Sequence, residues 1–172
     1  MQLSVRQHGP RAWLLLVLVA TFLIAGCASK RGAAGQNSLN TEEWTGRISL
    51  QVASEPVQSF SASFELKGRA ENGELTLISP LGNVLAVLRW SPGQALLDRG
   101  SQDIQRFASI DELMERATGA AIPLPALFAW LQGNNATASG WIADLTRHGE
   151  GRVSAKRTLP APEANLRLVL NQ

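Results

Sequence analysis

The chain has 172 residues, 45% hydrophobic and 17% charged: enough apolar material for one core and too much for general disorder. Lys and Arg number 16 against 14 Asp and Glu, but residues 1–26 contribute Arg6 and Arg11 and no acid. The remainder is therefore balanced and lacks the dense basic face that nucleic-acid binding needs, and a single Cys forbids an intramolecular disulfide or a Cys-rich metal site.

Residues 1–11 form a basic leader. Residues 13–24 (WLLLVLVATFLI) are apolar throughout but short of the ~20 residues that a spanning helix needs, and suit the apolar region of a signal peptide. Next come Leu23, Ile24, Ala25, Gly26 and Cys27. Small residues before a lone Cys resemble the lipobox of bacterial lipoproteins. That implies cleavage before Cys27, a diacylglyceryl group on its thiol and an acylated new amino terminus. At about 0.8 kcal/mol per buried CH₂, such a lipid is an effectively permanent anchor. In the lipoprotein pattern an Asp after the Cys signals inner-membrane retention. Ala28 stands there instead, which implies a lipid-anchored protein on the periplasmic face of the outer membrane. Residues 28–40 are small and polar, as in a flexible tether. The expected divisions are residues 1–26 as signal peptide, 27–43 as lipidated Cys and tether, and 44–172 as one folded domain.

From Trp44 the hydrophobic period is two. Ile48, Leu50 and Val52 alternate with polar residues, as do Phe60, Ala62, Phe64 and Leu66, with Glu55-Pro56 between the runs. Glu71-Asn72-Gly73 is a turn signal before a strand at residues 75–78. Residues 79–83 (SPLGN) interrupt, and the next strand, residues 84–90, puts Val84, Ala86, Leu88 and Trp90 on one face. Short strands follow at residues 95–98 and 103–107.

The period then turns helical. Ser109 and Glu112 make a capping box, Ile110, Leu113, Met114 and Ala117 a stripe, and Gly119 suits the C-cap. Pro123 or Pro125 opens a second helix with Leu124, Leu127, Phe128 and Leu131 on one side. Residues 141–147 and 152–157 can pair across His148-Gly149-Glu150-Gly151, and Leu166, Leu168 and Leu170 give a last strand. The fold expected from these patterns is mainly β with α: a curved antiparallel sheet with a two-helix lid.

Catalytic constellations are missing. Beyond residue 26 the only His is His148, in an expected turn, and no phosphate loop, Gly-x-Ser-x-Gly or His-Glu-x-x-His pattern occurs. Asp111, Glu112 and Glu115 read as a charged helix start and face. Neither an enzyme nor a cofactor is expected.

Taken together, the lipobox, the strand Gly46-Arg47-Ile48-Ser49-Leu50, the Ser79-Pro80-Leu81-Gly82 segment and Ile122-Pro123-Leu124 leading to Trp130-Leu131-Gln132-Gly133 resemble the LolB family of outer-membrane lipoprotein receptors. The likeness is good from about residue 44 to 133. It is diffuse afterwards, where the chain looks short by about a hairpin. The resemblance implies an incomplete antiparallel β-barrel with a helical lid over an apolar cavity. It implies a monomer that takes acylated lipoproteins from the periplasmic carrier LolA, cavity to cavity, and inserts them into the outer membrane. A protruding loop with an exposed Leu serves insertion in the family, and the Pro-Leu-Gly match puts that role on Leu81. On its own, a loop Leu is more often tucked into the core.

The candidates for the acyl cavity are Phe60, Phe64, Leu77, Val84, Ala86, Leu88 and Trp90 as wall, and Leu113, Met114, Leu127, Phe128 and Leu131 as lid. Any one of them could equally belong to a dry core, since pocket wall and core look alike in sequence. The competing expectation is an outer-membrane lipoprotein that acts as a structural or assembly factor.

Overall fold

The computed structural model describes residues 42–171 apart from Gln102 and Ser139. The expected signal peptide, Cys27 and the tether up to residue 41 lie outside the described residues.

The elements in order are β1 (Glu42–Val52), β2 (Gln58–Gly68), β3 (Gly73–Ile78), β4 (Val84–Ser91), β5 (Gln94–Asp98), β6 (Ile104–Phe107), α1 (Ile110–Thr118), α2 (Leu124–Leu131), β7 (Trp141–Asp144), β8 (Arg152–Arg157) and β9 (Ala164–Leu170). The strands form one antiparallel sheet in the order β6-β5-β4-β3-β2-β1-β9-β8-β7. It is an incomplete, curved barrel. Each strand pairs with a chain neighbour except at the β1–β9 seam, and the two edge strands, β6 and β7, are the ones the helical segment connects.

Period-two patterning sets the faces. In β2, Ala62, Phe64 and Leu66 are buried while Ser61, Glu65 and Lys67 are exposed. In β9, Ala164, Leu166 and Leu168 are buried against the same interior. Gly46 lets β1 and β9 close: a Cβ there would run into the Val169 carbonyl oxygen. The first strand starts at Glu42, two residues before Trp44.

The capping box of α1 forms with a shift. The Ser109 hydroxyl accepts from the Glu112 amide at 3.2 Å, and the Glu112 carboxylate reaches back to the Ala108 amide, 3.1 Å away, instead of Ser109. Gly119 ends the helix at φ 68° and donates to the Glu115 carbonyl. The second helix departs from expectation. Within the helical lid it is buried more widely than the expected one-sided stripe, because Leu124, Ala126, Leu127, Phe128, Trp130 and Leu131 are all buried. Pro125 sits in its first turn, where the missing N–H costs nothing.

Strand β7 stops at Asp144, short of the expected residue 147. The Asp144 carboxylate accepts from both the amide (3.0 Å) and the hydroxyl (2.7 Å) of Thr146, and the chain turns there. His148 follows in a 3₁₀ turn, its Nε2 2.9 Å from the Leu131 carbonyl, which ties the turn to the end of α2.

Candidate functional site

The interior has two unlike halves. One is filled by α2. Phe128 stands edge-on to Trp44 (5.3 Å between centroids) and Trp90 (6.4 Å), and Trp130 tilts against Trp141 at 6.3 Å. Each buried indole finds an acceptor. Trp90 donates to the carbonyls of Arg69 and Ala70, Trp130 to Ala136 and Trp141 to Ala121. The cleft left between the helices and this part of the sheet is a cavity of only about 30 Å³, lined by Phe64, Trp90, Leu127, Leu131 and their neighbours.

The other half is hollow. A cavity of about 590 Å³ lies between the sheet and α1, within the ~300–1,000 Å³ typical of ligand sites. Its wall comes from the ends of strands: Ile48, Leu50 and Val52 on β1, Phe60 on β2, Leu75 and Leu77 on β3, Leu85, Ala86 and Leu88 on β4, and Leu97 on β5. Met114, Ala117 and Ile122 close it from the helical side. Polar groups are few: Gln58, Ser59, Thr118 and Arg99, whose guanidinium lies 3.7 Å from Asp103. The cavity is open at one side, because lining residues Val57, Leu85 and Phe60 are exposed.

The hairpin joining β3 to β4 rises from two lining residues, Leu77 and Leu85. Ser79 and Asn83 brace its foot: the Ser79 amide donates to the Asn83 carbonyl (2.8 Å), and the Asn83 amide donates to the Ser79 hydroxyl (3.1 Å). The Gly82 amide donates to the Ser79 carbonyl at 2.9 Å, and Gly82 adopts φ 85°, a conformation that favours glycine. Pro80 and Leu81 thus occupy the centre of a tight turn followed by a left-handed residue. Nothing folds back over Leu81, which is 89% exposed.

The expected wall and lid residues separate by position. Phe60, Leu77, Ala86, Leu88 and Met114 line the large cavity. Phe64, Trp90, Leu127 and Leu131 line only the small cleft. Leu113, fully buried, and Phe128 belong to neither lining and are packed core. Val84 points outward, 59% exposed, because the β3–β4 ladder pairs Leu77 with Ala86 but Ile78 with Val84. Leu85 is the extra residue of that bulge and joins the cavity instead. Sequence reading missed Leu85 because strict alternation carries no mark of a bulge. It also left out Ile48, Leu50, Val52, Leu75 and Leu97, placed on strands but not assigned to the cavity, and Ile122 and Arg99, which lie between the expected elements.

Among the described residues no group of three or more His, Cys, Asp and Glu gathers as metal ligands. The groups whose titration is shifted, Lys67, Asp144, Arg147 and Glu150, all lie outside the cavity lining.

Residues 42–168 match the family model described as "Outer membrane lipoprotein LolB". The chain belongs to the LolB family. The outer-membrane lipoprotein LolB of Cupriavidus necator is 33% identical over 148 residues, covering 84% of this chain and 74% of that protein. The Ralstonia nicotianae LolB is 37% identical over 150 residues (83% and 71%), and that of Bordetella petrii 28% over 186 (94% and 92%). Membership carries an outer-membrane lipoprotein role in lipoprotein localisation.

Proposed function

We propose that this LolB-family chain is a non-enzymatic receptor, tethered by lipid on Cys27 to the periplasmic face of the outer membrane. It accepts the acyl chains of client lipoproteins from the soluble carrier LolA and releases them into the bilayer. The observation that carries the reading is an open apolar cavity of about 590 Å³ whose wall continues into a hairpin with an exposed Leu81 at its tip.

The physics restricts the route. An acyl chain of about fifteen methylenes has a transfer free energy near 12 kcal/mol at ~0.8 kcal/mol per CH₂, so it cannot cross water unshielded. Handover therefore needs the mouths of the two proteins to adjoin. The partly exposed Val57, Phe60 and Leu85 form such a rim. Direction needs tighter acyl binding here than in the carrier, and about 1.4 kcal/mol biases the exchange tenfold. The bilayer, which solvates all the chains together, is the final sink. Leu81 enters it at low cost and marks where the chains leave.

Leu81→Glu tests the reading in a reconstituted transfer assay. Receipt of an acylated client from the carrier should persist while its appearance in vesicles stops. Normal insertion by this variant would remove the loop's role. Failure of a fluorescent fatty acid to bind the native protein would remove the receptor reading and leave a structural lipoprotein.

A further inference from the structure

Charge is settled unevenly over the outer face of the sheet. On the β1–β4 part, register places Glu43, Lys67, Glu74 and Arg89 side by side, and Glu43–Lys67 and Glu74–Arg89 close at 3.1 and 2.6 Å. Around β9 the pattern differs. Arg47 and Arg152 flank Val169 across the ladder, and Arg167 stands one outward row on, between Ser49 and Ser154. All three arginines are exposed, and none forms an ion pair among the described residues. Three carboxylates lie nearby: Glu150 is 2.6 Å from Arg147 and also acts on Arg152 at longer range, Asp144 stands two strands from Arg167 in the same row, and Glu65 is one outward row from Arg47, so Arg147 and these three arginines outnumber the acids by one.

Register also ties this face to the hairpin. Arg47 pairs with Ser63, Ser63 with Ile78 and Ile78 with Val84, so Arg47 and the outward Val84 share one row at the foot of the Leu81 turn. With strands ~4.8 Å apart, Arg47 lies about 10 Å from that foot and Arg152 about 20 Å along the same row. Exposed Leu81, Val84 and Val169 (89%, 59% and 45%) thus accompany three cations that make no contact ion pair among the described residues. The outward residues between them, Ser49, Ser61, Ser63 and Ser154, carry hydroxyls and no carboxylate. Apolar tips beside a small excess of arginines without contact partners suit a lipid–water interface better than a protein surface, where buried charge needs a fixed partner.

We propose that the face carrying Arg47, Arg152 and Arg167 rests on anionic phospholipid headgroups and holds the Leu81 hairpin against the bilayer. This rests on the delivery role above. The test uses the lipidated full chain in phosphatidylcholine vesicles with or without phosphatidylglycerol, and a fluorescent acylated peptide supplied on the carrier. Phosphatidylglycerol should speed delivery by the native chain, with the gain lost roughly fivefold for each arginine changed to Gln and also at high salt. Lys67→Gln, on the neutralised part, should behave as native. The proposal falls if phosphatidylglycerol has no effect, if the triple variant keeps the gain, or if Lys67→Gln loses it equally. It falls in favour of a protein contact if the triple variant slows receipt from the carrier whatever the lipid. Binding of a fluorescent fatty acid, read separately, reports on the cavity, so failure of the delivery reading is distinguished from failure of the arginine face.

Discussion

The filled and hollow halves of the interior are both apolar and behave oppositely. The filled half gathers rings, Trp44, Trp90, Phe128, Trp130 and Trp141, and one helix buried on almost every side. The hollow half is walled by Ile, Leu, Val, Met and Ala, with Phe60 at its rim. Whether an apolar side chain is core or pocket wall depends on what lies opposite it. Over Phe64 and Trp90 that is α2. Over Leu77 and Ala86 nothing fills the space.

The sharpest way to break this comparison is Phe128→Ala. In the filled half it should cost about 3–5 kcal/mol in urea unfolding, the usual range for Phe truncation in a core. A loss near zero would mean that this half is loose too. Adding bulk discriminates next. Ala126→Phe in α2 should cost about 1–3 kcal/mol through overpacking. Ala86→Phe points into empty volume and should cost less than about 1 kcal/mol while displacing a bound fluorescent fatty acid. Equal costs at the two positions would make the cavity a fiction. Leu81→Glu, outside both halves, should shift stability by no more than about 0.5 kcal/mol, so that any loss of delivery is not a folding defect.

The smallest expected effect is electrostatic. Thr146 holds Asp144 below its ordinary 3.8, and Arg147 holds Glu150 below its ordinary 4.5. A depressed folded value means that the stabilisation is complete at neutral pH and is lost as pH falls through that value. Asp144→Asn should therefore flatten the acid limb of a urea-midpoint titration slightly. The carboxylates are exposed, so the change is small.

Much of the fold was legible because the periodicities are strong. The alternation of Ala62, Phe64 and Leu66, the Glu71-Asn72-Gly73 turn and the Ser109 cap each specify a local conformation that the tertiary structure keeps. What escaped depends on neighbours. The β4 bulge exchanged Val84 for Leu85 without any local signal, and the depth of α2 followed from the curve of a sheet joined through the β1–β9 seam, a pairing distant in sequence. Leu81 could be placed in a turn from Pro80 and Gly82. Its exposure needed either the family or the structure.

The sheet has two free margins, β6 and β7, and what spans them is helix packing rather than a ladder of hydrogen bonds. The girth of the barrel is consequently fixed by side-chain contacts, which yield by degrees, whereas backbone pairing breaks in whole steps. Under the proposed receptor role, a cargo with more or bulkier tails would be met by spreading that margin, with the nine strands keeping their register.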